Sequence, residues 1–117
     1  MTRARAVPGE KPLFWVGGAL ARLRGFPAGA RREAGYQLYQ LQLGLDPSDW
    51  KPMPSVGPGV MEIRVHESGQ YRVLYLAKFA EGVYVLHAFE KRTRQTRKGD
   101  IELARRNLAE VLRHRGR

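Results

Sequence analysis

Three runs of patterned residues dominate the second half of the chain. From Val60 to Glu67, Met61, Ile63 and Val65 alternate with Glu62, Arg64 and His66. A period of two predicts a strand with one buried and one exposed face. Beyond a Ser68-Gly69 turn, the stretch from Gln70 to Phe79 sets Tyr71, Val73, Tyr75, Ala77 and Phe79 on one face. Arg72, Leu74, Leu76 and Lys78 fall on the other. Glu81-Gly82 marks the next turn. Val83 to Phe89 is almost entirely apolar, as suits a central strand covered on both faces. The short turns make these three strands consecutive and antiparallel, a meander.

The first half reads differently. Leu13-Phe14-Trp15-Val16 is a short apolar run stopped by Gly17-Gly18, and it suits a buried first strand. Ala19 to Arg24 has Leu20 and Leu23 one helical turn apart, and Gly25 is a C-terminal stop. Pro27 opens a second helix at its first position. This helix runs to about Leu43, with Ala30, Ala34, Leu38, Leu41 and Leu45 as its apolar stripe and Arg31, Arg32, Gln40 and Gln42 turned away. The two form a helical hairpin. Residues 46–59 hold four prolines and two glycines and are expected to be a loop, which Trp50 and Met53 pin to the core. A last helix is predicted over Asp100–Arg113, with Ile101, Ala104, Leu108 and either Val111 or Leu112 facing inward. The order β-α-α-β-β-β-α predicts an α+β fold, an antiparallel meander packed against a helical hairpin.

Composition narrows the picture. The 117 residues argue for one domain, expected over 12–113, with a flexible basic tail at 1–11 and a C-terminal tail at 114–117. Lys plus Arg number 21 against 11 acids, a formal net charge of +10, and so large a surplus points to a polyanionic partner. Cysteine is absent, which excludes thiolate metal sites and cysteine nucleophiles. His66, His87 and His114 have no metal-ligand spacing, so neither metal nor other cofactor is expected. No apolar run approaches the roughly 20 residues of a membrane helix, and the N-terminus lacks the apolar core of a signal peptide. The expected location is the cytoplasm, with no membrane contact.

The charges fall where chemistry can use them. Arg64 and Arg72 lie on adjacent predicted strands, and the alternation points both to one face. Lys91 ends the last strand. Arginine suits a phosphate because its planar fork grips two oxygens and stays charged. Lys91, Arg92, Arg94, Arg97 and Lys98 form a run without an acid, suited to RNA phosphates. His66 shares a strand face with Arg64 and is a candidate general base, with Glu62 as its rival. His87, in the most apolar strand, reads as a core residue. Tyr71 and Tyr84 read as core before base-stacking groups.

In their order and spacing, KPLFWVG, FPAGARREAGYQLYQLQLG, MEIR, GQYRVLY, VYVLHAFEK and TRKGDIELA resemble the RelE and HigB superfamily of small toxins, in its phage-derived branch, over roughly residues 11–108. The resemblance implies a RelE/ParE-like fold and a ribosome-dependent messenger-RNA endoribonuclease that works without metal. It also implies a cognate helix-turn-helix antitoxin, in an assembly of open stoichiometry for which a toxin–antitoxin heterotetramer is one form. Arg64, Arg72 and Lys91 match the family's basic active-site positions. Arg72 is expected at the transition-state phosphate, with Arg64 and Lys91 positioning RNA or moving protons and Arg92, Arg94, Arg97 and Lys98 contacting RNA. Relatives carry an aromatic or histidine near the C-terminus for acid, base or stacking work, and here only His114 stands there. Two other readings are a ParE-like gyrase inhibitor and a non-catalytic basic RNA-binding module of phage origin.

Overall fold

The computed structural model describes residues 2–3 and 10–116. The elements are β1 (Thr2–Arg3), β2 (Leu13–Trp15), α1 (Ala19–Arg24), α2 (Ala28–Gln42), β3 (Trp50–Pro52), β4 (Val60–His66), β5 (Gln70–Leu76), β6 (Val83–Glu90) and α3 (Lys98–Arg115). The class is α+β, as the patterning predicts. One sheet runs in the order β1-β2-β6-β5-β4-β3. β4, β5 and β6 form the expected antiparallel meander, and β2 joins it parallel to β6, making the sheet mixed.

Both faces of the sheet are covered. On one, Ala30, Ala34, Leu38 and Leu41 of α2 and Leu23 of α1 pack against Ile63, Val65, Val73 and Val85. On the other, Ala104, Leu108 and Val111 of α3 pack against Val60, Leu74, Leu76 and Leu86. α3 therefore selects Val111 over Leu112, which is 49% exposed. Leu45, expected to continue the α2 stripe, lies past the helix end and is exposed. Gln42 is buried instead, because its Nε2 donates to the Lys11 carbonyl at 2.8 Å.

Several boundaries differ from the sequence reading: β5 ends at Leu76 and not at Phe79, and α3 begins at Lys98 and not at Asp100. The expected loop 46–59 contains β3, an edge strand antiparallel to β4. Proline is tolerated there because an edge strand leaves one row of amides unpaired. Met53 is buried as expected, but Trp50 is 39% exposed. At the N-terminus, Thr2 and Arg3 pair with Trp15 and Phe14, while residues 4–9, most of the expected tail, lie outside the described residues. At the C-terminus, His114 and Arg115 form the last turn of α3. Arg115 is held there by Glu81, its Nε donating to Oε2 at 2.6 Å, and its guanidinium lies 3.4 Å from the centre of the Phe79 ring.

The turns obey local chemistry. Ser68 takes a φ of 55° between β4 and β5, a left-handed conformation that short turns demand. Gly82, between β5 and β6, is close against its neighbours. A Cβ there would stand 2.6 Å from both the Phe14 ring and the Pro12 carbonyl. The β5–β6 ladder slips between Leu74 and Tyr75, leaving Leu86 unpaired, a bulge that twists the strand locally.

Candidate functional site

β4 and β5 place the central groups. Arg64 and Arg72 are direct partners across the ladder, and period-two alternation puts Glu62 on the same face as Arg64. Arg64 Nε lies 3.5 Å from Glu62 Oε1, Arg72 Nε 3.7 Å from it and Lys51 Nζ 3.9 Å. One carboxylate oxygen thus faces three cations. The Glu62 side chain is 1% exposed, and its Oε2 has no hydrogen-bond partner among the described residues. Arg72 is 6% exposed; its Nη1 donates to the Tyr71 carbonyl at 2.9 Å, and its Nε makes no hydrogen bond among the described residues.

Lys91 completes the group at the end of β6. Its backbone amide bonds Gln70, beside Arg72. Its ammonium is pushed below the ordinary lysine value, first by partial burial and then by the Arg72 charge. Glu62 opposes this, while Lys51 and Arg64 add to it. Burial likewise lowers Arg72; Glu62 and Asp49 oppose, and Arg64 adds to the lowering. Four cations around one buried acid leave a local excess of positive charge. Like charges directly opposed across a ladder are unfavourable, and a donor without a partner is expensive to bury. Both costs fall when an anion enters the cluster.

His66 flanks this centre, two residues from Arg64 on the same strand face, while the remaining candidate residues lie apart from it. The His66 ring is half exposed and its Nε2 meets Asp49 Oδ2 at 2.9 Å, at the outer end of β4. Arg92 folds back on Glu90, with Nε and Nη2 at 3.0 and 2.9 Å from Oε1. Lys98 stands 3.9 Å from Glu102. Arg94 and Arg97 are exposed and make no ion pair among the described residues. His87 is fully buried as expected, but only half satisfied. Its Nε2 meets Asp100 Oδ1 at 2.8 Å, its ring stacks on Phe89, and its Nδ1 has no partner among the described residues. Burial lowers its pKa against the raising effect of Asp100.

His114 is remote from the cluster. It pairs with Glu110 at 2.8 Å, in the turn of α3 that Arg115 fastens to Glu81 between β5 and β6. Arg72 and Lys91 lie at the opposite ends of those two strands. Tyr84 also belongs to the far end, where its hydroxyl donates to Glu81 at 2.8 Å. Tyr71 is buried against Phe26. A groove of about 720 Å³ lies between α3 and the Gly17-Gly18 turn, away from the cationic centre.

Sequence reasoning missed Lys51, hidden among prolines, and Asp49, the partner of His66. It placed Glu62 among the candidate bases without seeing that it would be the common counter-ion.

The arrangement can grip a tetrahedral anion. It offers two guanidinium groups held on a rigid ladder, a third and fourth cation at the flanks, and a proton on Lys91 that is held less tightly than usual. Residues 21–109 match the family model described as phage derived protein Gp49-like (DUF891). Among curated proteins none matches the chain.

Proposed function

The chain belongs to the Gp49-like family of phage-derived proteins, a RelE/HigB-like toxin family, and on that premise we propose that it is a toxin acting as a ribosome-dependent endoribonuclease on messenger RNA, restrained by a helix-turn-helix antitoxin. The observation that supports this reading is the facing pair Arg64 and Arg72 on one oxygen of buried Glu62, with the Arg72 Nε making no hydrogen bond among the described residues.

The chemistry follows from the groups. Arg72 and Arg64 hold the non-bridging oxygens of the scissile phosphate and stabilise charge as it builds there. The 2′-oxygen attacks phosphorus while the bond to the 5′-oxygen breaks. His66, fixed through Nε2 by Asp49, accepts the 2′-hydroxyl proton at Nδ1. Lys91 gives its proton to the departing 5′-oxygen. The products are a 2′,3′-cyclic phosphate and a free 5′-hydroxyl. Glu62 is a positioning residue: it aligns the two guanidinium groups without touching RNA. Lys51 contributes long-range attraction for the phosphate.

Inducing the protein in growing bacteria and mapping new RNA ends tests the proposal. New 5′-hydroxyl ends inside translated messages, absent with Arg72→Ala, are expected. Growth arrest with intact messages and a block in DNA supercoiling would support the gyrase reading instead. Salt-sensitive RNA binding without any new ends would reduce the protein to a binding module.

A further inference from the structure

We propose that the outer face of α2 is a self-docking surface, on which a second copy of this chain packs its own α2 antiparallel about a two-fold axis. Of the large hydrophobic side chains exposed among the described residues, four fall between Tyr36 and Leu45, from 42% exposed at Tyr39 to 57% at Tyr36. Tyr36, Tyr39 and Leu43 recur at helical spacing. That sets them in one stripe, on the side of the helix away from buried Ala30, Ala34, Leu38 and Leu41. With Leu45 they expose on the order of 400 Å², the size of patch that marks an interaction surface.

Gly35 gives the stripe its shape. It sits in the middle of α2, where glycine weakens a helix. It is exposed, and a Cβ added there would meet nothing within 4 Å. No neighbour within this fold therefore requires the missing side chain. Arg32, Gly35, Tyr36 and Tyr39 have the spacing of the four corners of a hole on a helix surface. An antiparallel copy centred between Tyr36 and Tyr39 drops its own Tyr39 into that hole and receives the first Tyr39 in return. Each contact is thus made twice, as a two-fold interface requires, and the open corner at Gly35 admits the ring. Tyrosine and arginine are the residue types that most often anchor such contacts.

Charge selects the occupant. Of the 21 lysines and arginines none falls between Glu33 and Trp50, a stretch with three acids. That stretch offers nothing to a phosphate backbone, and a chain of net charge +10 meets its like there with least repulsion. Antiparallel packing also brings Arg32 toward the negative C-terminal end of the other α2, whose last turn carries no base of its own. The cationic cluster stays free. Ile63 and Val65 face α2, so Glu62 and Arg64 face the other side of the sheet. The dimer carries its two clusters on opposite outer surfaces, and the inference holds whether or not the chain cuts RNA. A patch of this size on each copy covers less than a permanent dimer does, so association is weak and concentration-dependent.

Sedimentation equilibrium of the full chain, freed of nucleic acid, tests this on wild type, Gly35→Leu and Tyr39→Glu over a range of protein and salt concentrations. Wild type is expected to show a monomer–dimer equilibrium that tightens as salt rises, because salt screens the repulsion of like net charges. A species bridged by RNA loosens with salt instead. Gly35→Leu fills the hole and should weaken the dimer about tenfold. Its monomer should melt no lower than that of wild type, since leucine is the better helix former. Tyr39→Glu brings two carboxylates together near the axis and should stay monomeric throughout. Wild type that is monomeric at every concentration overturns the proposal and leaves this face to a different protein. A dimer that persists unchanged in both variants, or that loosens as salt rises, overturns it too.

Discussion

Arg64 and Arg72 face one another across the β4–β5 ladder, and both lean on the same oxygen of Glu62, at 3.5 and 3.7 Å. Two positive charges in direct cross-strand register are an unfavourable pair in a structural ladder. The pairing makes physical sense when a doubly coordinated oxyanion sits between them, and it sets the first expectation.

Removing the Arg72 side chain should abolish cleavage and leave the fold. Loss of one transition-state donor costs on the order of 10²–10³ in rate. Single-turnover cleavage of a message on stalled ribosomes measures this, and circular dichroism checks the fold. An Arg72→Ala protein that cuts at the wild-type rate refutes the assignment.

Glu62→Gln should destabilise the protein and make its stability depend on anions. The exchange leaves Lys51, Arg64, Arg72 and Lys91 without their common counter-ion, and breaking a buried ion cluster costs about 3–5 kcal/mol. Thermal melts with and without phosphate report it. Phosphate should raise the melting temperature of the variant more than that of wild type.

Lys91 should set the alkaline limb of the rate profile. As proton donor it must be charged, so activity falls as pH rises through its pKa. Burial and the neighbouring Arg72 hold that pKa below the ordinary lysine value, so the limb should lie below the limb of an ordinary lysine. Lys91→Arg should keep RNA binding, cut more slowly and lose the limb. An unchanged profile in the variant places the acid elsewhere.

Glu81 should tie the end of α3 to the sheet in a pH-dependent way. Its carboxyl is lowered to about 2, first by the hydrogen bond from Arg115 and then by that from Tyr84. A lowered folded pKa contributes stability above the ordinary value of 4.5, and that stability is lost as pH falls from there toward about 2. Wild type should therefore be more stable than Glu81→Gln at neutral pH, and the gap should close across this acid range. Urea melts at several pH values measure the gap, and a constant difference refutes the tie.

Arg94 and Arg97 should govern salt sensitivity. Exposed cations without a pairing acid release counter-ions when they meet phosphates, at about 0.7 per contact on a single strand. Replacing both with glutamine should flatten the slope of log affinity against log salt by about 1.4, with little change in cleavage once RNA is saturating.

Much of this architecture is written in local patterns. Met61, Ile63 and Val65 announce β4 by alternation, Ser68-Gly69 forces a tight return, and Pro27 and Gly25 punctuate the hairpin of helices. Each is a short-range signal. What escaped depends on distant partners. β3 exists because β4 offers it an edge, against the intrinsic resistance of its prolines, and Lys51 reaches the cluster only through that pairing. Nothing local says that Leu13 will lie beside Val83, or that α3 will cover the face opposite the helical hairpin. Alternation put Glu62 beside Arg64 on one face but could not tell that Arg72 and Lys51 would converge on the same oxygen. The separation of His114 from Arg72 follows from the direction in which α3 runs back over the sheet, which composition does not reveal.

The parallel contact of Leu13–Trp15 with Val83–Val85 bears on how this chain emerges from its own ribosome. The first core strand to be synthesised must wait for the last, because its neighbour is made only after the hairpin and most of the meander. Such long-range closure slows folding relative to local contacts. A nascent chain interrupted before Val83 leaves β2 without its ladder and β5 without β6. Completion of the sheet is thus coupled to synthesis of its last strand, so the cluster of Arg64, Arg72 and Lys91 is assembled only once β6 has been made.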